Sequence, residues 1–260
     1  MGRSSLRRFL VALALVGCTS FGTSPDGPDG SASPTRTDLP ALCEEGCPVG
    51  AWSFDEEEGR DLLDGSGNGN TGGLMGATRT SGKTGNALSF SEDATSPQAL
   101  VPNSRSLDVS GTSLTVTFWV WITPTTKPGD QVLFGKPWTE GPMAPPYYQF
   151  GVEWSSGNAK TIDLLLGDAA TMDYRKASVA ILDSRWVHVA FVFDGRATTP
   201  YVDGAPAATQ ETPTTLSARG TALRFGVDGA GAQSFGGKLD DVRVYARALS
   251  PTTIARIAGK

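Results

Sequence analysis

Residues Arg185 to Gly204 read R-W-V-H-V-A-F-V-F-D-G-R-A-T-T-P-Y-V-D-G, and no other stretch constrains the fold as much. Val187, Val189, Phe191 and Phe193 alternate with Trp186, His188, Ala190 and Val192. A period of two is the signature of a β-strand, and Val, Phe and Trp suit a pleated, half-buried surface. Asp194-Gly195 breaks that strand, and Tyr201-Val202 then runs briefly into Asp203-Gly204. Two strands closed by Asp-Gly pairs read as a hairpin-like unit.

The same alternation recurs along the chain. In Leu114 to Ile122, Leu114, Val116, Phe118, Val120 and Ile122 form one face, and Thr115, Thr117, Trp119 and Trp121 the other. A strand apolar on both faces belongs in the middle of a sheet covered on both sides or lining a groove. Ala51 to Asp55, Gln131 to Gly135, Tyr147 to Trp154, Thr161 to Gly167 and Ala177 to Leu182 supply further short strands. The 32 glycines and 17 prolines fall between them, as many short strands joined by turns require. Long amphipathic helical windows are absent outside the termini, which excludes an α/β layout. The folded part, about 210 residues, is long for an immunoglobulin-type domain and suits one large sandwich burying roughly 70% of its unfolded surface.

The formal charge is −5; without Arg3, Arg7 and Arg8 there are 19 Lys and Arg against 27 Asp and Glu, or −8. So acidic a chain has no electrostatic footprint for nucleic acid. Its charge favours solubility and divalent cations.

Arg3, Arg7 and Arg8 precede the apolar run Phe9 to Val16, which is followed by Gly17-Cys18. This order defines a secretory signal, and the run is too short to span a bilayer as a helix. Leu15-Val16-Gly17-Cys18 resembles the bacterial lipobox, which implies lipidation of Cys18 and attachment to the cell envelope; the alternative is an ordinary signal with a chance cysteine. In the lipoprotein sorting pattern, Thr19 in place of Asp implies the outer membrane or cell surface of a Gram-negative host. Residues 20 to 40, rich in Ser, Thr, Gly, Pro and Asp, cannot bury enough surface to order themselves and read as a disordered tether. The expected organisation is a lipoprotein signal over 1–18, a flexible segment over 19–48 and a folded domain over 49–260. With Cys18 lipidated, Cys43 and Cys47 are left to form one small disulfide in an oxidising compartment. Zinc would need about four ligands, and one Cys pair with the single histidine His188 does not supply them.

Several motifs together resemble laminin-G-like jelly rolls of the concanavalin A-like lectin/glucanase type. They are W-S-F-D at Trp52–Asp55, D-G-S-G-N-G-N at Asp64–Asn70, S-G-K-T-G-N-A-L-S-F at Ser81–Phe90, and the Trp186–Gly195 strand followed by Y-V-D-G. The run G-G-K-L-D-D-V-R-V-Y-A-R-A-L-S at Gly236–Ser250 resembles the family's closing motif, with Ala246 where the family usually has Asn. The resemblance covers roughly residues 50 to 257. It implies an all-β, two-sheet antiparallel jelly-roll sandwich, ending in a short helix that Ser250 caps and Pro251 opens. Trp119 corresponds to a frequent family tryptophan and is assigned to core packing.

Three look-alike motifs lack their context. Gly67, Gly69 and Gly72 satisfy G-x-G-x-x-G with no helix following; an EF-hand register from Asp64 would place Met75 at its last ligand; and Gly82-Lys83-Thr84 has no strand–helix frame. For the Asp64–Asn70 loop, the family resemblance implies a structural calcium ion. Asp64, Asn68 and Asn70 would share it with Asp240, placed on the inward face with Val242 and Val244 by simple alternation. The other reading is a glycine-rich turn held by Asx hydrogen bonds.

The long loop from Lys136 to Pro146 carries Trp138 and leads into Tyr147 and Tyr148, the best candidates for stacking on a sugar ring. Trp138 would otherwise pin the loop to the body. The E-x-D-x-x-E strand pattern of related β-glucan hydrolases is absent, and no other carboxylate pair is evident. His188 has Asp183 and Ser184 nearby, yet its motif makes it a packed, hydrogen-bonded sheet residue. The sequence therefore points to a noncatalytic, surface-tethered module recognising a glycan or extracellular protein. A divergent glycan hydrolase and a structural envelope protein are the alternatives.

Overall fold

In a computed structural model of the protein, the described residues are 43, 45–94, 96, 98–124, 129–140, 144–157, 160–227 and 233–259. Cys18 and the tether up to residue 42 lie outside them, as do residues 141–143 of the Trp138 loop.

In chain order the strands begin with β1 (Gly50–Trp52), β2 (Asp61–Leu62), β3 (Gly72–Leu74), β4 (Thr78–Ser81), β5 (Asn86–Phe90) and β6 (Ala99–Val101). The long strands follow: β7 (Leu114–Ile122), β8 (Asp130–Pro137), β9 (Tyr148–Ser155), β10 (Thr161–Asp168), β11 (Asp173–Ala180) and β12 (Trp186–Phe193). The last are β13 (Ala197–Val202), β14 (Ala205–Pro206), β15 (Gln210–Glu211), β16 (Leu223–Phe225) and β17 (Gly237–Tyr245), before the helix α1 (Pro251–Ile257).

Sheet one has the order β14-β13-β12-β7-β17-β5-β4, with β1 added to β17 and β15 to β13. Sheet two has the order β11-β10-β9-β8-β16-β6-β3-β2. Neighbouring strands are antiparallel throughout, so the protein is the two-sheet sandwich that the sequence motifs imply. The Asp-Gly turns behave as read: Asp194 Oδ1 accepts the Arg196 and Ala197 amides, and Gly195 adopts a φ of 94°. Strand β11 starts at Asp173, four residues before the apolar pattern of Ala177 begins, because Asp173-Tyr174-Arg175-Lys176 is polar although paired with β10.

Val116, Phe118 and Val120 of β7 and Val187, Val189 and Phe191 of β12 point into the core, opposite Phe134, Phe150, Val152, Trp154 and Leu164 of sheet two. Phe118 meets Phe134 edge-on with centroids 5.2 Å apart, and Trp52 and Phe54 each meet Phe225 at 5.9 Å. Truncating such a buried ring to Ala costs about 3–5 kcal/mol. Helix α1, capped by Ser250 Oγ on the Thr253 amide at 3.2 Å, covers part of the outer side of sheet one. There Leu249 and Ile254 pack on Ala190, Val192, Tyr201 and Tyr245.

Strand β17 departs from simple alternation. Its pairing with β7 shifts between Asp240 and Arg243, and Asp241 takes a left-handed φ of 49°. This bulge inserts one residue, so Leu239, Val242 and Val244 all face the core while Asp240, opposite Trp119, faces outward. The expectation that Asp240 shares a face with Val242 and Val244 is thereby corrected.

Candidate functional site

The outer side of sheet two gathers the chemistry that the sequence scattered. Register puts Glu153 of β9 directly beside Asp163 of β10, with Val132 of β8 and Ser178 of β11 completing the row. Glu153 is 7% exposed and Asp163 1%. Lys176 Nζ, reaching from β11, lies 2.5 Å from Asp163 Oδ2. Burial raises the Glu153 carboxyl to about 7, helped by the neighbouring charges of Asp130 and Asp163 and opposed by Tyr148 and Lys176. Two buried acids side by side against one lysine form an unusual cluster for a packing surface.

The next row is built on glycines. Gly135 pairs with Gly151, and the Tyr148 ring lies against both; a Cβ on Gly151 would come within 2.6 Å of it. The Trp138 ring lies over Gly167 in the same way. Tyr147 and Tyr174 stand half-exposed with their rings 5.7 Å apart. This face presents tyrosine edges for an apolar ring face, with the acid pair buried among the strands beside them.

Of the three aromatic candidates for ligand contact, only Tyr147 is open to solvent to a useful degree. Tyr148 is buried and Trp138 is 8% exposed, with the Arg219 guanidinium 3.4 Å from its ring centroid. Trp138 thus pins its loop to the sheet. The acid pair Glu153–Asp163 has no local sequence pattern, because its members lie ten residues apart on two strands and meet only through register.

The residues expected to share calcium fall into two separate places. Asp64 Oδ1 accepts the Ala51 and Ser66 amides, and its Oδ2 accepts the Ser66 hydroxyl and the Asn70 amide. Asn68 and Asn70 both donate to the Val49 carbonyl, and Asn70 Oδ1 accepts the Ser104 and Ser106 hydroxyls. Asp240 Oδ2 instead accepts the Lys83 and Thr84 amides at 2.8 and 3.2 Å. So placed, the four residues do not fit one oxygen shell around a shared ion. The Asp64 loop fastens β1, and Asp240 fastens the turn between β4 and β5. Among the described residues no group of three or more His, Cys, Asp or Glu is arranged to hold a metal.

Cys43 is disulfide-bonded to Cys47. The small loop so closed carries Glu45, whose carboxylate accepts the amide and hydroxyl of Ser250 at the start of α1; those hydrogen bonds hold it below its ordinary range. His188 is packed as expected, but both ring nitrogens are buried without a hydrogen-bond partner. Burial, with the nearby Arg243, lowers it to about 4, so it is neutral at physiological pH. Trp119, assigned to core packing, instead lies half-exposed with Trp121 on the outer side of sheet one, because the core side of β7 is filled by Val116, Phe118 and Val120.

Comparison with known proteins agrees with this architecture. No match was found among curated proteins by sequence. Among solved structures, domain 4 of AbnA, a GH43 extracellular arabinanase from Geobacillus stearothermophilus solved with arabinotriose, superposes with a TM-score of 0.60 at 21% identity, covering 82% of this chain and 98% of that one. The binding domain of Paraclostridial Mosquitocidal Protein 1 superposes with a TM-score of 0.64 at 13% identity, covering 82% and 52%. The sialidase of Trypanosoma rangeli, solved as a covalent intermediate with 2,3-difluorosialic acid, gives 0.60 at 18% identity, covering 86% and 37%. These likenesses show a shared fold. The sequence model of the laminin-G-type family of concanavalin A-like lectins and glucanases matches residues 93–255, well over half of the chain, and the protein therefore belongs to that family.

Proposed function

We propose that the domain is a noncatalytic recognition module, tethered to the cell envelope, that binds a glycan or an extracellular protein on the outer side of sheet two. The observation that carries this reading is the buried pair Glu153–Asp163 with Lys176, beside the half-exposed Tyr147 and Tyr174. Carboxylates in a partly dry site hydrogen-bond sugar hydroxyls strongly, and the half-exposed Tyr147 and Tyr174 offer ring edges for an apolar sugar face. The arabinotriose complex of the arabinanase domain and the binding role named for the toxin domain support it by analogy of fold. A glycan array, run with and without chelator, identifies the ligand. Glu153→Gln and Asp163→Asn are expected to weaken the hits by tenfold or more, and undiminished binding in both variants would move the site elsewhere.

A hydrolase is the second reading, favoured by the same pair: a carboxyl raised to about 7 is an acid poised for proton donation, and Asp163 supplies a second carboxylate one strand away. Release of reducing ends from a bound glycan, abolished by either substitution, would establish it. Attachment rests on the lipobox resemblance of Leu15–Cys18. Palmitate labelling of the intact protein, lost in Cys18→Ser together with membrane association, is the expected outcome; a labelled, membrane-bound Cys18→Ser protein would exclude it.

A further inference from the structure

The outer side of sheet one carries a second constellation, remote in function from the acid pair. Helix α1 covers only the end of that side where Ala190, Val192 and Tyr245 lie. Beyond it, β7 and β12 turn Trp119, Trp121, Trp186 and His188 outward, in the register Trp186 opposite Trp121 and His188 opposite Trp119. All three tryptophans are half-exposed. Trp121 meets Trp186 edge-on at 6.1 Å, and Trp119 meets His188 at 5.3 Å.

An open cleft of about 470 Å³ lies over Trp119 and Trp186, within the size range of small-ligand sites. One wall is the turn between β4 and β5, fixed by Asp240, which carries Lys83 Nζ to 4.7 Å from the Trp119 ring centroid. Opposite stands Arg185, and the residues ending α1 close one side.

The charges here are unevenly satisfied. Asp203 accepts the His188 amide at 3.0 Å and Arg185 Nη1 at 3.2 Å. Asp241 holds Arg243 through two bonds of 2.9 and 2.7 Å. Both acids in the cleft are therefore engaged, whereas Lys83 has no carboxylate partner among the described residues. Below Trp119, His188 is 1% exposed with neither ring nitrogen hydrogen-bonded.

We propose that this cleft binds an acidic saccharide, with a sugar ring against Trp186 and its carboxylate on Lys83, which stands over the Trp119 ring. A neutral sugar would use the rings and leave the ammonium unmatched, whereas a carboxylate gains a charge-assisted hydrogen bond beside a low-dielectric aromatic surface. A small inorganic anion would meet Lys83 but leave the tryptophan faces unused.

The test titrates the full-length protein with oligogalacturonate and oligoglucuronate, and with galactose and glucose oligomers of equal length, by tryptophan fluorescence and calorimetry. Saturable binding of an acidic oligomer at least tenfold tighter than its neutral counterpart, and weaker at higher salt, is expected. Lys83→Gln preserves the amide that Asp240 accepts, so the turn stays in place, and it is expected to remove the acidic preference. Trp186→Ala should weaken binding tenfold or more. No saturable response to either acidic oligomer would overturn the proposal, as would equal binding of the neutral oligomers or persistence of the acidic preference in Lys83→Gln. Loss of acidic binding in Glu153→Gln alone would assign the activity to sheet two instead.

Discussion

Burial holds a proton on Glu153 up to about 7, against an ordinary value of 4.5. The folded chain thus binds a proton between those two values that the unfolded chain lacks. The resulting stability is fully present below about pH 4.5 and is lost as pH rises through about 7. Asp240, raised to about 7 by burial, acts in the same direction. His188 acts oppositely: lowered from 6.5 to about 4, it contributes above 6.5 and is lost as pH falls through 4. Urea unfolding at pH 5 and pH 8 should therefore show Glu153→Gln losing less stability on going alkaline than the parent, by about 2–3 kcal/mol. An identical pH dependence in the two proteins would remove Glu153 as the titrating group. At the first loop, Asp64→Asn weakens four hydrogen bonds and is expected to cost about 1–3 kcal/mol, equally in calcium and in chelator. A loss confined to calcium-containing buffer would place an ion at that loop.

The elements were largely legible because alternation survives wherever one strand face is buried. Leu114–Ile122 is β7 to the residue, and Ser250-Pro251 opens α1 as its capping chemistry dictates. Alternation failed at β17, where the extra residue falls at Asp241 and no glycine marks the left-handed position. Read without the bulge, Asp240 lands in the core and invites a metal; read with it, Asp240 is the anchor of the Ser81–Asn86 turn. The G-K-T-G and D-D-V-R runs are thereby joined, since the carboxylate of one caps the amides of the other. Asp240→Ala removes an acceptor for two amides and should cost about 1–3 kcal/mol. Hydrogen exchange at Lys83 and Thr84 should quicken while β7 and β12 stay protected. Unchanged exchange at those two amides would show that the turn holds itself.

At the scale of the whole domain, what no local pattern reveals is how residues remote in sequence are brought together. Register joins Glu153 to Asp163, and the fold brings Cys43–Cys47 against the start of the last helix, some two hundred residues later. Gly46 makes that contact feasible: its φ is 107°, and a Cβ there would fall 2.1 Å from Arg247 Cζ, so a side chain would expel the guanidinium. Arg247 donates to the Glu45 carbonyl, and the Glu45 carboxylate takes the Ser250 amide at 2.8 Å, where negative charge suits a helix start. Glu45 thus joins this loop to the start of α1, and α1 in turn covers Ala190, Val192 and Tyr245 of sheet one. The disulfide closes so small a loop that chain entropy alone contributes about 2 kcal/mol. Its larger consequence is to hold Glu45 in place. Cys43→Ser with Cys47→Ser, and separately Glu45→Gln, should each speed hydrogen exchange across Thr253–Ile257 while the amides of β9 and β10 keep their protection. Global unfolding in urea should fall by about 1–2 kcal/mol in Glu45→Gln and by about 2–4 kcal/mol in the cysteine-free protein. If α1 exchanges at the parental rate in the cysteine-free protein, the clip is a feature of the entering segment alone and does not secure the helix.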